Sequence, residues 1–346
     1  MKKLVALTLA LTMTATLCAC GSKNDPPIPS DPAPSAAAPT EKTETPTVNW
    51  PTSTVNVICP SSAGGGTDNT IRAFTDTWAQ QLGQSVVVTN YDATPVAMTT
   101  CADADPDGYT LVCHQNTAIC QYVTGVLETD PSKDLALVAA LQYMGEQALI
   151  VPADAPFNNF DEFIAYAKDN PGKVSVAIAT GGPAQFLWGQ VMNECGVELN
   201  MVVAANTTDK LTNISGGFID CGQVDVANAQ SYEEAGKVKV IGVLSSTGEN
   251  LPAWPSHWST LQKQGYNIGW DMRLYMWAPA NTPEETLEAI NQSLKAVMES
   301  DTVVENLKRQ SAQAEWYNLE ESQKIFQNEF DSILTTGKAL GIAAVD

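Results

Sequence analysis

The chain has 346 residues, of which 44% are hydrophobic and 16% charged, and its 39 acidic side chains against 18 basic ones give a formal net charge of -21. This composition is that of a globular protein, and the length exceeds what one compact core usually fills, so two lobes are expected. Because binding to nucleic acid or to anionic lipid headgroups is largely electrostatic, a chain this acidic is expected to bind neither directly.

The N-terminus has the features of an export signal. Lys2 and Lys3 precede an apolar run from Leu4 to Leu17, which at about 14 residues is shorter than the roughly 20 that a membrane-spanning helix needs. The run ends in Leu17-Cys18-Ala19-Cys20, which resembles a bacterial lipobox. We therefore expect residues 1–19 to be a lipoprotein signal peptide and Cys20 to be acylated; an ordinary secretory signal with incidental cysteines is the alternative.

The segment after Cys20 is rich in proline. Residues 21–51 hold 8 of the 20 prolines, with small and polar residues between them. Proline fixes φ and favours extended geometry, so residues 20–53 are predicted to be a tether, with an interaction arm as the alternative. A lipid anchor followed by a tether describes an extracytoplasmic protein held at the bacterial cell membrane.

Strand-like and helix-like patterns alternate from residue 54 onward. Apolar runs predict strands at 55–59, 85–89, 109–113, 135–141, 147–152, 174–179, 202–205, 224–227 and 238–244. Helices are predicted at 67–82, with Asp68 as a suitable N-cap, at 160–170, from about Ala184, and from Pro283 onward. Such alternation indicates an α/β fold with a mostly parallel sheet in each lobe.

Six cysteines fall in this part of the chain: Cys59, Cys101, Cys113, Cys120, Cys195 and Cys221. Export would allow disulfides, whose pairing the spacing leaves open. The spacing contains no C-x-x-C pair, so a structural metal site is not expected. Cys59 and Cys113 lie in apolar strands and are expected to be core residues.

Two glycine-rich loops are candidate anion-binding sites. Ser61 to Asp68 and Thr180 to Gln185 place glycines and small hydroxyl residues just before a helix. Ligands of open α/β sheets bind at the carboxyl ends of strands, and backbone N–H groups at helix N-termini hold anions without a cation. Neither loop fits a nucleotide motif, since the Walker Gly-Lys-Ser/Thr is absent and Asn69 occupies the last glycine position of Gly-x-Gly-x-x-Gly.

Other polar residues follow predicted strands. His114 comes directly after the strand at 109–113 and opens a polar loop with Asn116 and Thr117, so it is either a pocket residue or a structural histidine. Arg273 is either a clamp for a ligand carboxylate or a hinge salt bridge. Asp103 to Gly108 imitates the opening of a calcium loop, but its closing position is His114, which favours a solvated turn.

The ordered set of motifs resembles the substrate-binding proteins of tripartite tricarboxylate transporters, the Bug family. The resemblance rests on 57–68, Leu82 to Val88, Pro106-Asp107-Gly108-Tyr109-Thr110-Leu111, Asn170-Pro171-Gly172-Lys173-Val174, Gly216 to Asp220, Glu234 to Val238 and Ala278 to Pro283. It implies a two-lobed, type II periplasmic-binding-protein fold with lobe I at 54–151 plus 275–346 and lobe II at 152–274. Arg72 would be structural in such a protein.

The resemblance also implies a function. A small carboxylate would be captured between the lobes and delivered to membrane permease subunits, without catalysis, metal or cofactor. The predicted ligand-binding residues are Ser61, Ser62, Ala63, Gly64, Gly65, Thr67, Asp68, His114, Asn116, Thr117, Thr180, Gly181, Gly182, Gln185, Asn206, Thr207 and Arg273.

The sequence does not identify which carboxylate is bound. Val203 to Thr207 replaces an aromatic residue and a lysine found in many family members, so a dicarboxylate, a tricarboxylate, an amino acid and an aromatic acid are all compatible. A ligand-sensing subunit for a signalling partner is the alternative function. An exported enzyme is less favoured, because the chain has two histidines and no Gly-x-Ser-x-Gly elbow.

Overall fold

The computed structural model of the protein describes residues 48–204, 206–269, 272–310 and 312–346. The predictions for the signal peptide, for Cys20 and for most of the tether therefore lie outside the described residues. In the described part, no helix combines the length and the apolar character needed to cross a membrane.

Strands and helices alternate as the sequence predicts. The strands are β1 (Val55–Cys59), β2 (Val86–Asn90), β3 (Thr110–Gln115), β4 (Leu135–Tyr143), β5 (Gln147–Pro152), β6 (Ser175–Ile178), β7 (Asn200–Val203), β8 (Gly222–Asp225), β9 (Val238–Leu244), β10 (Arg273–Pro279) and β11 (Gln313–Ala314). The helices are α1 (Gly66–Leu82), α2 (Thr94–Ala102), α3 (Thr117–Val123), α4 (Phe160–Asp169), α5 (Pro183–Cys195), α6 (Thr207–Ser215), α7 (Val226–Glu234), α8 (Glu284–Met298), α9 (Asp301–Lys308) and α10 (Leu319–Ala339).

The first sheet has the order β11-β4-β10-β3-β1-β2. β1 is parallel to β2 and β3, with Val57 opposite Val88 on one side and Leu111 on the other. β10 is antiparallel to both β3 and β4. Strands β1 to β4 thus share one direction, and β10 and β11 run against them.

The second group of strands repeats this plan. β5 lies between β8 and β9 and is antiparallel to both. β6 pairs in parallel with β7, and a parallel bridge from Val176 to Cys221 joins β6 to the residue before β8. The order β7-β6-β8-β5-β9 therefore matches β2-β1-β3-β10-β4, with one reversed strand in each. That strand is the one that arrives from the other sheet, β10 following β9 and β5 following β4.

Two crossover segments join the sheets, at 144–146 and at 245–272. They contact each other, because the Met144 N–H donates to the Met272 carbonyl at 2.7 Å. β5 pairs with β8 and β9, although the sequence places residues up to 151 in lobe I. The apolar runs of β4 and β5 are alike in composition, so only the pairing shows which sheet each one joins.

Both faces of the first sheet are covered by apolar packing. Val55, Val57 and Cys59 of β1 pack with Trp78 of α1, whereas Ile58 belongs to the cluster on the opposite face, as strand alternation requires. The core prediction for Cys59 and Cys113 is confirmed, since both are buried.

The cysteines of the described part form no disulfide. All six are free thiols, and five of them are buried. Burial raises the pKa of the Cys59 and Cys101 thiols to about 12, so these side chains behave as small apolar groups.

The last residues of the predicted tether contact the folded body. Trp50 packs against the first core cluster, with its ring 6.2 Å from that of Trp78. Its indole N–H donates to the Gly108 carbonyl at 3.1 Å. The folded body thus begins a few residues before 54, because Trp50 packs on an apolar surface of the core.

Candidate functional site: a cavity between the two sheets

A cavity of about 760 Å³ opens where the carboxyl ends of strands from both sheets meet. From the first sheet's side, it is lined by Ser61, Gly66, Thr67, Asn69, Thr70, His114, Gln115, Thr117, Gln121, Arg309 and Gln310. From the second sheet's side and the crossovers, it is lined by Ala179, Thr180, Gly182, Pro183, Ala184, Asn206, Thr207, Lys210, Gln223, Asp225, Ala227, Asn228, Met144, Gln147 and Met272. We call this space the main cavity.

The structure brings part of the predicted ligand-binding set together. The predicted residues that line the main cavity are Ser61, Thr67, His114, Thr117, Thr180, Gly182, Asn206 and Thr207. Those that do not line it are Ser62, Ala63, Gly64, Gly65, Asp68, Asn116, Gly181, Gln185 and Arg273. Both glycine-rich loops thus reach the cavity, each through only some of its residues.

Asp68 points into the protein. Its side chain is 2% exposed and accepts hydrogen bonds from Arg72 Nε at 2.9 Å, Asn90 Nδ2 at 2.8 Å and the Gly64 N–H at 2.8 Å. Burial alone would raise the pKa of this carboxyl, but its hydrogen-bond donors outweigh burial and the pKa lies below its ordinary value. Asp68 therefore holds the loop in shape. It is also not the N-cap of α1, which is Gly65. The structural role expected for Arg72 is confirmed by this ion pair.

Two helices that lack side-chain caps begin at the main cavity. The N-caps of α1 and α5 are Gly65 and Gly182, and neither helix has a side-chain cap. By contrast, α6 and α7 are capped by the side chains of Asn206 and Asp225. The first N–H groups of a helix have no intrahelical acceptor and carry the positive end of its dipole. The α1 end is therefore suited to an anion. The α5 end offers fewer donors, because Pro183 has no N–H and the Gly182 and Gln185 N–H groups already donate to the Ala179 and Gly182 carbonyls.

Some backbone donors of the two loops are already used. The Gly65 N–H donates to the Ser62 carbonyl at 3.0 Å, and the Gly181 N–H donates to Gln185 Oε1 at 2.9 Å. These bonds give the loops their shape. They leave the start of α1, at Gly66 and Thr67, as the part of the first loop that faces the cavity.

His114 is a buried polar group at the cavity wall. It is 4% exposed, and its Nε2 lies 3.2 Å from Thr94 Oγ1. Nδ1 has no partner among the described residues, and the same holds for the side-chain oxygens of Gln121 and Gln223. Burial lowers the pKa of His114 to about 4, so the imidazole is neutral at pH 7. These three atoms are the kind of polar group that a bound solute or water satisfies.

We expect His114 to make folding pH-dependent. Its folded pKa of about 4 lies below the pKa of an unfolded histidine. At pH values between these two, the unfolded state binds more protons than the native state, so the native state loses stability as pH falls through this range. At pH 4.5 the loss from this group is about 2 kcal/mol. Urea unfolding of the wild type and of His114→Gln at pH 7 and 4.5 measures it. A pH-dependent loss of equal size in both proteins would contradict this assignment.

Lys210 is a cavity residue that the sequence analysis missed. Its Nζ donates to the Gln223 carbonyl at 3.2 Å, and burial lowers its pKa to about 8. The residue lies on α6, which the sequence did not predict because its threonines and asparagines have low helix propensity. The available signal was Asn206 followed three residues later by Asp209, since the Asn206 side chain caps the Asp209 N–H.

Arg273 and Asn116 line a different cavity, of about 660 Å³, next to α3, α5 and α10. Arg273 forms an ion pair with Glu315, just beyond β11. Asn116 Nδ2 donates to Glu329 Oε1 at 2.5 Å. The structure thus gives Arg273 a carboxylate of its own chain, away from the main cavity.

The acidic turn at 103–108 is built around a backbone contact. Asp107 Oδ1 accepts a hydrogen bond from the Tyr109 N–H at 2.9 Å. Among the described residues, no group of three or more His, Cys, Asp or Glu side chains is placed to hold a metal ion. The turn therefore precedes β3 as a structural element.

Comparison with known proteins decides the family. Residues 70–340 match the model of the tripartite tricarboxylate transporter family receptor. The chain belongs to this receptor family. It is 27% identical over 265 residues to a UPF0065 protein of Bordetella pertussis, covering 75% of this chain and 80% of that protein.

Solved structures share the fold of this receptor. The periplasmic binding protein BugD superposes with a TM-score of 0.70 at 24% identity, covering 85% of this chain and 99% of that one. An R. palustris protein with adipate gives a TM-score of 0.72 at 22% identity, with the same coverage. The predicted Bug-family resemblance and the two-lobed periplasmic-binding-protein fold are both confirmed.

Proposed function

We propose that this receptor is an extracytoplasmic, lipid-anchored solute-binding protein that captures a small carboxylate in the main cavity and delivers it to the membrane subunits of a tripartite tricarboxylate transporter. The observation that carries the proposal is a cavity between the sheets that is lined on one side by the uncapped N-terminus of α1 and on the other by the glycine-rich loop before α5. The adipate in a protein of the same fold agrees with a carboxylate ligand.

Capture would couple to movement of the lobes. A ligand that contacts both Thr67 and Thr180 binds residues on opposite sides of the main cavity, and it makes both contacts only when the sides are close. Binding then shifts the population toward a closed form. The two crossovers, bonded to each other at Met144 and Met272, are where we place the hinge.

A thermal-shift and calorimetry screen tests the proposal. Residues 48–346, unfolded and refolded to remove any carried ligand, are titrated with succinate, malate, adipate and citrate, with glucose as the neutral control. At a hundredfold excess over the dissociation constant, a ligand specific to the native state adds about 2.7 kcal/mol of stability. Refolded protein that responds to none of the four acids would overturn the proposal.

The lipid anchor is tested separately. Incorporation of labelled palmitate into the full chain, and its loss in Cys20→Ala, is the expected result. Equal labelling of both proteins would contradict the anchor and leave the carboxylate proposal untouched.

A further inference from the structure

The charged side chains that line the main cavity differ in their hydrogen-bond partners and in their exposure to solvent. Both carboxylate oxygens of Asp225 accept hydrogen bonds from Asn228, from its N–H at 2.9 Å and its side-chain amide at 2.7 Å. Arg309 is exposed and donates to Asn306 Oδ1 at 3.0 Å. Lys210 also lines the cavity and is half-buried.

The Lys210 ammonium has no anion beside it among the described residues. Its hydrogen bond goes to a neutral acceptor, the Gln223 carbonyl. The ion pairs found in the described part of the chain use other lysines, such as Lys133 with Asp130 and Lys263 with Glu249. A half-buried ammonium without a counter-charge is unfavourable, because partial desolvation penalises the charged form. In the empty receptor this cost appears as the lowered pKa of Lys210, for which burial is the cause.

An anion entering the cavity would remove that penalty. The start of α1, at Gly66 and Thr67, lies on the first sheet's side of the main cavity, and Lys210 lies on the second sheet's side. Each of these two places favours negative charge, one through the helix dipole and the other through a full positive charge. A cavity of about 760 Å³ exceeds the space that one carboxylate fills.

We propose that Lys210 forms an ion pair with one carboxylate of the ligand while the N-terminus of α1 holds the other, so that the receptor selects dicarboxylates over monocarboxylates. This inference rests on the proposed function and specifies its ligand class. An amino acid is the competing ligand class, because its ammonium group could be accepted by Asp225 or by the side-chain oxygen of Gln223, which has no partner among the described residues.

Ligand binding would then carry a pH signature. An ion pair raises the pKa of the lysine from about 8 in the empty receptor, so binding takes up a proton and affinity falls as pH rises above 8. The other titratable or charged groups around the cavity and on the elements packed against α6 are Asp209 on α6, Asp225 ending β8, Glu146 before β5, His114 and Arg309. Burial lowers the pKa of His114 to about 4, so this imidazole stays neutral near pH 8, and we assign the proton uptake in that window to Lys210.

Calorimetry on three proteins tests the inference: the wild type, Lys210→Met, and the matched control Lys173→Met, which removes an exposed lysine outside the cavity. The probes are succinate, malate and adipate, each beside its monomethyl ester. The wild type and the control should prefer the best-bound diacid over its monoester by at least about tenfold. Lys210→Met should bind that diacid about 30-fold more weakly and lose the preference, at unchanged melting temperature.

Each outcome decides something different. Equal diacid affinity in Lys210→Met and the control overturns the inference while the proposed function stands. Tighter binding of 2-aminoadipate than of adipate overturns it in favour of a zwitterionic ligand. If Lys210→Met does not fold, the wild type decides alone: calorimetry in buffers of different ionisation enthalpy at pH 8.5 should show proton uptake, and none would overturn the inference. A wild type that binds no acid overturns the proposed function as well.

Discussion

Replacing Gly66 by aspartate is expected to weaken carboxylate binding about 100-fold and leave the protein folded. Gly66 is the first residue of α1 and lines the main cavity, and a Cβ built on it meets no atom within 4 Å. An acidic side chain in the first turn favours the helix by about 0.5 kcal/mol. The same negative charge would lie where a ligand carboxylate binds. Repulsion between two adjacent carboxylates corresponds to about a 100-fold loss of affinity.

Gly66→Asn is the control for this experiment, because it has almost the same shape without the charge. Calorimetry with the best-bound dicarboxylate measures affinity, and thermal melting measures folding. Gly66→Asp that binds like the wild type would show that the ligand does not approach α1. Two other loop glycines are less suitable: a Cβ on Gly65 falls 2.6 Å from Ser61 Oγ, and Gly181 has a φ of +67°, so substitutions there strain the fold.

Asp68→Ala is expected to lower the free energy of unfolding by about 3 kcal/mol, because it leaves several donors of a buried network without their acceptor. The Asp68 carboxylate joins the Gly64 N–H, the Arg72 guanidinium and the Asn90 amide. Arg72 is half exposed and can return to water, so the larger part of the loss comes from Gly64 and Asn90.

Urea unfolding at pH 7 measures the effect of Asp68→Ala, with Asp76→Ala as the control. Asp76 lies on α1 as well but is exposed, so its removal should change stability by less than about 0.5 kcal/mol. The pKa of Asp68 lies below its ordinary value, so its contribution is present above the unfolded pKa and is lost as pH falls through the lower folded one. Equal unfolding midpoints for the two variants would contradict the network.

The elements that the sequence predicted well are those with a long or strongly apolar pattern. The strand at 238–244 has its predicted bounds, and α1 and α4 begin within one residue of theirs. The prediction at 224–227 was wrong in part, since the strand ends at Asp225 and a helix begins at Val226. Asp225 ends β8 and caps α7 through its side chain. The chain therefore changes from strand to helix within one short apolar run, and hydrophobic periodicity does not reveal such a change.

Several short helices and two strands, β10 and β11, escaped prediction. α2, α3 and α6 are each at most 9 residues long, too short to show a clear helical period. α6 forms because Asn206 caps it and because Leu211 and Ile214 are buried in the core beside β5 and β8. Its existence therefore depends on a surface supplied by strands elsewhere in the chain.

The sequence by itself determined the α/β class, the family resemblance and the two glycine-rich loops that precede helices. These features are local, because each depends on the order of residues that are only a few positions apart in the chain. Only the tertiary structure decided that Asp68 faces inward, that Arg273 pairs with Glu315 and that Lys210 lies half-buried on the main cavity with a carbonyl as its partner. Burial and charge pairing depend on contacts between residues far apart in the chain, and a site made of such contacts exists only once both sheets have formed.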